Sequence, residues 1–390
     1  MEPRIIYLDN ASTSFPKPAV LWESTREYLD TVGVSPGRGS YRRARHAEDM
    51  VDETRAALAG VLGVGDSRHI AFTANATHAL NIAIKGVLAP GDHVLTTGLE
   101  HNSVLRPLAE LSRAGVITYT VVPSTPDGAF DLDAFRAALT PHTRLMVVNH
   151  ASNVIGVVAP AAELAALAHE YGVLFLLDAS QTAGFLDVDA DANGIDLLAV
   201  TGHKSLHGPS GIGALYVRDP MELRRFYVGG SGVNSLSLRH PATMPEKFEA
   251  GTLNYLGIAG LRAVLAELTP QALRDRQTRL LKLTEYCLAE LRSLPAVTVY
   301  DVRPGIPRTP VISINVDGLY AGELGVVLDR EFNVLTRAGL HCAPLIHRTL
   351  GTAPHGTVRI SLGDATSEAD IAVLADALGV ISAKHAALTG

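Results

Sequence analysis

Between residues 70 and 177 short apolar runs alternate with stretches whose apolar positions recur at helical spacing. Strands are predicted at 70–72, 93–96, 116–122, 145–148 and 173–177, and helices between them at 77–88, 103–112, 132–139 and 161–171. This alternation is the sequence form of consecutive βαβ units on a mostly parallel sheet. A further apolar run, 195–200, predicts another buried strand. Ahead of the series lie a strand-like run at 4–10, a helix from about Pro18 carrying Trp22, Tyr28 and Leu29, a glycine-rich loop at 33–39, and a helix at 47–62 closed by Gly63.

After 213–217 the rhythm changes. Residues 229–254 read as irregular, and helices at 261–268 and 272–294 follow, the second long enough to bridge two domains. Strands at 311–316 and 358–361 and a helix at 368–378 predict a smaller α+β domain. The expected division is a large domain over 15–265, and a small one built from 1–14 and 266–390.

The chain has 390 residues, 47% hydrophobic and 19% charged, the balance of a soluble globular enzyme. A net charge of −7 argues against a nucleic-acid surface, although Arg38, Arg42, Arg43 and Arg45 crowd one segment. Two cysteines, Cys287 and Cys342, are too few for a disulfide framework and fit a reducing compartment. With no apolar leader and no run of membrane-spanning length, a cytoplasmic protein without membrane association is expected.

The candidate chemistry gathers beyond the strand ends, where open α/β sheets collect ligands. Lys204 follows a buried strand in Thr201-Gly-His203-Lys-Ser-Leu-His-Gly-Pro209. A lysine there suits a desolvated amine able to form a Schiff base, and also suits an ordinary loop. Asp178 ends an apolar strand and needs a cationic or N–H partner, which either a protonated ring nitrogen or a structural network supplies. Thr77, at a helix start, can offer its hydroxyl to an anion or cap the helix. His101 can lie on an aromatic ligand or in solvent, and Asn153 can donate to a ligand oxygen or shape its turn.

Thr77, His101, Asn153, Asp178, Gln181 and the run from Thr201 to Lys204, joined to Phe248-Glu-Ala-Gly-Thr252, resemble the pyridoxal-phosphate site of the class V aminotransferase family. Within it the chain resembles the cysteine desulfurases and selenocysteine lyases of the short-loop type. The likeness runs from Tyr7-Leu-Asp-Asn-Ala11 to Arg359-Ile-Ser361. It implies the aspartate-aminotransferase-like fold of pyridoxal-phosphate-dependent transferases, with a seven-stranded, mostly parallel sheet. It also implies pyridoxal 5′-phosphate as cofactor and no metal. Lys204 would form the Schiff base, Asp178 would hold the ring nitrogen protonated, His101 would stack on the ring, and Gln181 would bind its oxygen. Thr77, Thr201 and His203 would hold the phosphate. Thr252 would reach the phosphate of a neighbouring subunit, so a homodimer with shared active sites is implied.

Two positions depart from the family pattern. Asn75 and His78 stand where glycine and glutamate are usual, and asparagine is the residue that best tolerates left-handed geometry after glycine. The Thr336–Pro344 segment resembles the catalytic-cysteine loop, with Cys342 as nucleophile. His341 and His347 beside it provide a setting that can lower a thiol's pKa, whereas Cys287 lies in a long helix and suits packing. Arg359 matches the clamp on the substrate carboxylate, a task that suits a bidentate guanidinium, with a salt bridge as the alternative. Arg38 would stand at the cavity mouth.

The implied reaction converts L-cysteine to L-alanine, leaving a persulfide on Cys342 for an acceptor, which can be a protein. Selenocysteine lyase chemistry would use the same residues. A C–S lyase, a racemase or a transaminase would not need Cys342, and an idle scaffold would need none of them.

Overall fold

The computed structural model describes residues 4–36, 39 and 41–389. Its centre is a seven-stranded sheet in the order Ile70–Thr73, Gly213–Val217, Leu197–Thr201, Leu174–Asp178, Thr143–Asn149, His93–Thr97, Thr118–Val122. Gly213–Val217 runs antiparallel to both neighbours, and every other pairing is parallel. The mostly parallel α/β architecture expected from the alternation is present. The five residues of Leu197–Thr201, like those of Gly213–Val217, are all buried, which explains why these strands read as continuous apolar runs rather than alternating ones.

Helices cover both faces. On one, Arg42–Leu62 and Tyr255–Glu267 pack with Ala161–Glu170 around Met146, Phe175 and Leu177. On the other, Ala76–Val87 and Asn102–Arg113 enclose Leu145, Leu176 and Leu197. The alternate residues of each strand point to opposite cores, as a period of two requires.

A second, four-stranded sheet has the order Arg337–Gly339, Thr357–Ser361, Val311–Val316, Val297–Tyr300. Its core draws in Pro270–Arg292, Ala321–Phe332 and Glu368–Thr389, together with Ile6 and Leu8 from the beginning of the chain. Ile6–Tyr7 pairs in parallel with Val334–Leu335, and Asp9 bridges Ser361. The strand-like run predicted at 4–10 therefore contracts to two residues and a bridge. Cys287 is fully buried in this core, and burial pushes its thiol up to about 12. The region 229–254 holds neither helix nor strand, as its sequence predicts.

Several elements are absent from the sequence reading: the strands Val297–Tyr300, Val334–Leu335 and Arg337–Gly339, and the helices Ala321–Phe332 and Pro344–Thr349. Arg42, Arg43 and Arg45 are exposed on their helix, and Arg38 lies outside the described residues. Among the described residues no helix is long and apolar enough to cross a membrane, and no group of three or more acidic, histidine or cysteine side chains could hold a metal.

Candidate active site

A cavity of about 220 Å³ opens where the carboxyl ends of the large sheet's parallel strands meet the small sheet. Its walls include Thr77, His101, Asn153, Asp178, Gln181, Thr201, His203, Lys204 and Arg359, so nine of the expected residues converge from six separate segments. Thr252 is exposed and does not line this cavity.

The turn bearing Lys204 leaves the strand Leu197–Thr201 and folds back on itself. Gly208 N–H donates to the Gly202 carbonyl at 2.7 Å, and His207 N–H to the Lys204 carbonyl at 2.8 Å. The His203 carbonyl accepts from Lys17 Nζ at 2.7 Å, from the Thr13 hydroxyl at 3.0 Å and from Ser14 N–H at 3.1 Å, which pins the turn to the start of the chain. Gly184, at φ +85°, closes beneath it. A Cβ there would meet the Ser205 carbonyl oxygen at 2.5 Å, so only glycine lets the two backbones approach this closely.

Part of Lys204 faces the cavity, yet burial draws its amine down to about 8. Asp178 and Cys342 oppose that fall, while Arg359 and Arg337 add to it. At neutral pH about a tenth of the amine is then unprotonated and nucleophilic, the state that imine formation needs, where an ordinary lysine would offer well under a hundredth.

Asp178 is buried at its strand end, where Oδ1 accepts from Ser180 N–H at 3.0 Å and from the Ser180 hydroxyl at 2.5 Å. These donors supply the partners its burial demands. His101 caps the helix Asn102–Arg113: its Nδ1 accepts from Ser103 N–H at 3.0 Å. Burial, then the Lys204 charge, lowers the ring to about 4, so it is neutral and carries its proton on Nε2. Ser103 Oγ lies 2.8 Å from His101 Nδ1 and 2.7 Å from Thr77 Oγ1, a short polar chain along the cavity wall.

Thr77 is not the helix cap. Asn75 takes that role, its Oδ1 accepting from His78 N–H at 2.9 Å. Asn75 has φ −177°, an extended conformation, so no left-handed geometry is needed at this departure from the family pattern. His78 turns away from the cavity, its ring 5.5 Å from that of Tyr227. Gln181 donates to the Ala11 carbonyl at 3.0 Å. The Asn153 amide donates to the His341 carbonyl at 2.7 Å, leaving Oδ1 buried without a partner. Thr201 Oγ1 is likewise buried and unpartnered.

Arg359 is 1% exposed. Its Nη2 donates to Asp9 Oδ1 at 2.5 Å and to Ser12 Oγ at 2.7 Å, its Nη1 to the Asn153 carbonyl at 3.1 Å, and its Nε is unpartnered. It is both a salt bridge and a cavity residue. Its register partner across the small sheet is Arg337, whose Nη1 donates to Ser12 Oγ at 3.1 Å. Two guanidinium groups side by side repel each other and favour an anion between or before them.

Cys342 is partly exposed, at φ +58°, directly after His341 at φ +49°. This tight turn brings its sulfur within 3.6 Å of Arg337 Nη2, and its carbonyl accepts from Asn102 N–H at 2.7 Å. The two histidines cannot act as cations toward the thiol. Burial first, then Arg359, lowers His341 to about 2, and burial lowers His347 to about 4, so both rings are neutral. The cation that stands beside the sulfur is Arg337.

A family model for the class V aminotransferases matches residues 6–374. The chain belongs to the class V aminotransferase family. Among its relatives, a probable cysteine desulfurase of Methanothermobacter thermautotrophicus is 32% identical over 97% of this chain and 94% of its own length. The cysteine desulfurase of Dickeya dadantii is 31% identical over 88% of this chain and 84% of its own. An apo cysteine desulfurase from Thermococcus onnurineus NA1 superposes with a TM-score of 0.92 at 30% identity, covering 97% of this chain and 95% of the other. Family membership and these relatives support a pyridoxal-phosphate-dependent enzyme.

The cavity fits that cofactor. Its residues can offer a carboxylate to a ring N–H at Asp178, an amine for imine formation at Lys204, and an unpartnered hydroxyl at Thr201. The first turn of the twelve-residue helix Ala76–Val87 also faces it, and free N–H groups at a helix start suit a phosphate.

The sequence reading missed Arg337, Ser12 and Ser103. Arg337 lay one residue inside the quoted cysteine segment, but its place beside Arg359 follows from cross-strand register, which no local pattern announces.

Proposed function

We propose that this enzyme is a cysteine desulfurase that converts L-cysteine to L-alanine and leaves the sulfur as a persulfide on Cys342. The observation that carries the reading is the meeting, around one cavity, of Lys204, Asp178 and Arg359 with Cys342, which joins them through Arg337. Pyridoxal phosphate, when bound, supplies an electron sink for the negative charge left at the substrate's Cα. Lys204 would hold it, with Asp178 keeping the ring nitrogen protonated. The neutral His101 ring would cover its face, Gln181 would bind its ring oxygen, and Thr77, Thr201 and His203 would hold its phosphate.

The Arg359 guanidinium, already fixed by Asp9 and the Asn153 carbonyl, orients the substrate carboxylate through its free donors, with Asn153 beside it. Arg38 serves as a further guide for the anionic substrate. Freed from the cofactor, Lys204 removes the proton from Cα, a role that its lowered basicity suits. The Cys342 thiolate attacks the substrate sulfur. The S–S bond forms as the C–S bond breaks, and the carbon takes up a proton to become the methyl group of alanine. The persulfide then passes to an acceptor, a small thiol or a protein.

The proposal includes a homodimer. Leu236 and Leu238 are fully exposed in the same irregular region as Thr252, where a second copy would cover them and bring Thr252 to its partner's phosphate. Domain limits of 15–265 and of 1–14 with 266–390, and a cytoplasmic location in keeping with the free thiols of Cys287 and Cys342, complete it.

The test is product analysis with L-cysteine and a reducing thiol. Equimolar alanine and sulfide are expected. Pyruvate or another keto acid would replace this reading with lyase or transaminase chemistry, and alanine from L-selenocysteine alone would make the enzyme a selenocysteine lyase.

A pH dependence follows from the amine. Capture of pyridoxal phosphate by the apoprotein should speed up with pH until about 8, where Lys204 loses its proton, and then level off. A rate still climbing toward the ordinary lysine value of about 10.4 would contradict the burial argument.

A further inference from the structure

Glu100 is a charged residue type placed where charge is least welcome. It is 0% exposed, between the strand His93–Thr97 and His101. Its Oε1 accepts from the Thr97 hydroxyl at 2.7 Å and from Asn149 N–H at 2.9 Å, while Oε2 is buried and has no partner. Burial, opposed by these two donors and reinforced by the Asp178 charge, pushes its carboxyl up to about 8, so at neutral pH it is chiefly the uncharged acid.

Such a group weakens the fold. The unfolded chain ionises it near the ordinary value while the folded chain keeps the proton, and an orphan buried oxygen is costly besides. Its surroundings tie it to the cavity. The residue it hydrogen-bonds, Asn149, is the register partner of Asp178 and itself lines the cavity. The Asn149 side chain donates to the Leu99 carbonyl at 3.3 Å, and His150 N–H to the Asp178 carbonyl at 3.0 Å. The next residue along the chain from Glu100 is His101.

We propose that Glu100 is a positioning residue: its carboxyl, wedged between two strand ends, fixes the His101 ring above the cavity and the Asn149–Asp178 strand ends below it. The inference rests on the cofactor reading given above. It requires a side chain that reaches Thr97 and Asn149 and accepts from both, which glutamine does and alanine does not.

The test uses purified apoprotein and pyridoxal phosphate, following the cofactor's visible absorption, its induced circular dichroism and its dissociation constant, with thermal unfolding measured on the same samples. Glu100→Ala should bind pyridoxal phosphate about tenfold or more weakly, with diminished induced dichroism, as loss of a group that orients site residues commonly does. Glu100→Gln should match the wild type in both. Without cofactor, Glu100→Gln should melt above the wild type, by a margin that widens as pH rises from about 4.5 toward 8, because only the wild type must hold a proton that the unfolded chain releases.

Wild-type affinity and dichroism in Glu100→Ala would overturn the inference, and so would failure of Glu100→Gln to restore them. Should the alanine variant not fold, Thr97→Val removes one donor, and unaltered cofactor binding there would overturn it equally. If the wild type does not bind pyridoxal phosphate, the function proposed above fails first and takes this inference with it. If the wild type binds and Glu100→Ala binds as well, only the inference fails.

Discussion

Cys342→Ala is expected to abolish alanine and sulfide formation from L-cysteine while the protein still binds pyridoxal phosphate and shows its visible band. The cysteine does not line the cavity. Its sulfur touches Arg337, it sits on a turn built from two consecutive residues of positive φ, and its backbone carbonyl is fixed by the start of the His101 helix. Removing the sulfur therefore leaves the groups around the cofactor in place. What disappears is the nucleophile itself, for which the described residues offer no substitute, since the other thiol, Cys287, is fully buried in the small-sheet core. A loss of several orders of magnitude in turnover is expected, as removal of a covalent nucleophile typically gives. Retained alanine production would mean that sulfur leaves without passing through Cys342.

Lys204→Ala should be as severe for activity, and it should relieve a pH-dependent cost to the stability of the apoprotein. The variant loses both the attachment point and the base, so turnover should fall by about 10³-fold or more, with partial recovery when a small primary amine is added. The remaining cavity groups still bind the cofactor, more weakly and without a covalent link. In the apoprotein, the folded state holds this amine at about 8 while the unfolded chain restores the ordinary value. A base lowered in this way opposes folding below its unfolded pKa. The penalty grows as pH falls from about 10.4 to 8 and stays constant below that, at roughly 3 kcal/mol at pH 7. Lost methylene packing offsets part of the gain, so the pH trend decides. The variant's stability relative to wild type should decline as pH rises above 8. A difference unchanged with pH would show that the amine is not desolvated.

Most of the large sheet was legible because its strands, the edge strand Thr118–Val122 apart, are buried on both faces and interrupted by helical spacing, so the two periods separate cleanly along the chain. The helix Ala76–Val87, predicted from 77, starts one residue early because Asn75 caps it. The small sheet was harder. Arg337–Gly339 contains only three residues, one charged and one glycine, and is a strand solely because Thr357–Ser361 lies alongside it. The same non-local pairing places Arg337 beside Arg359 and the Cys342 sulfur. His341 and His347 misled because a sequence displays a histidine but not its burial, and burial keeps both uncharged. Asp178 was readable because it closes an apolar run, where a charged side chain needs a reason to be, whereas Lys204 stands on the turn after such a run and Arg359 in the middle of its strand.

The cavity's walls come from both ends of the chain. Ala11 and Ser12 face residues up to Arg359, and Ser361 N–H donates to the Leu8 carbonyl at 2.7 Å. During synthesis the large sheet can be completed once Val217 has emerged, since no strand after it joins that sheet. Lys204 is then already on its turn, but the wall containing Arg337 and Arg359 has not yet been made. Until that last wall docks, the amine lacks the two guanidinium charges that help to lower it, so this part of its tuning is acquired late in biogenesis.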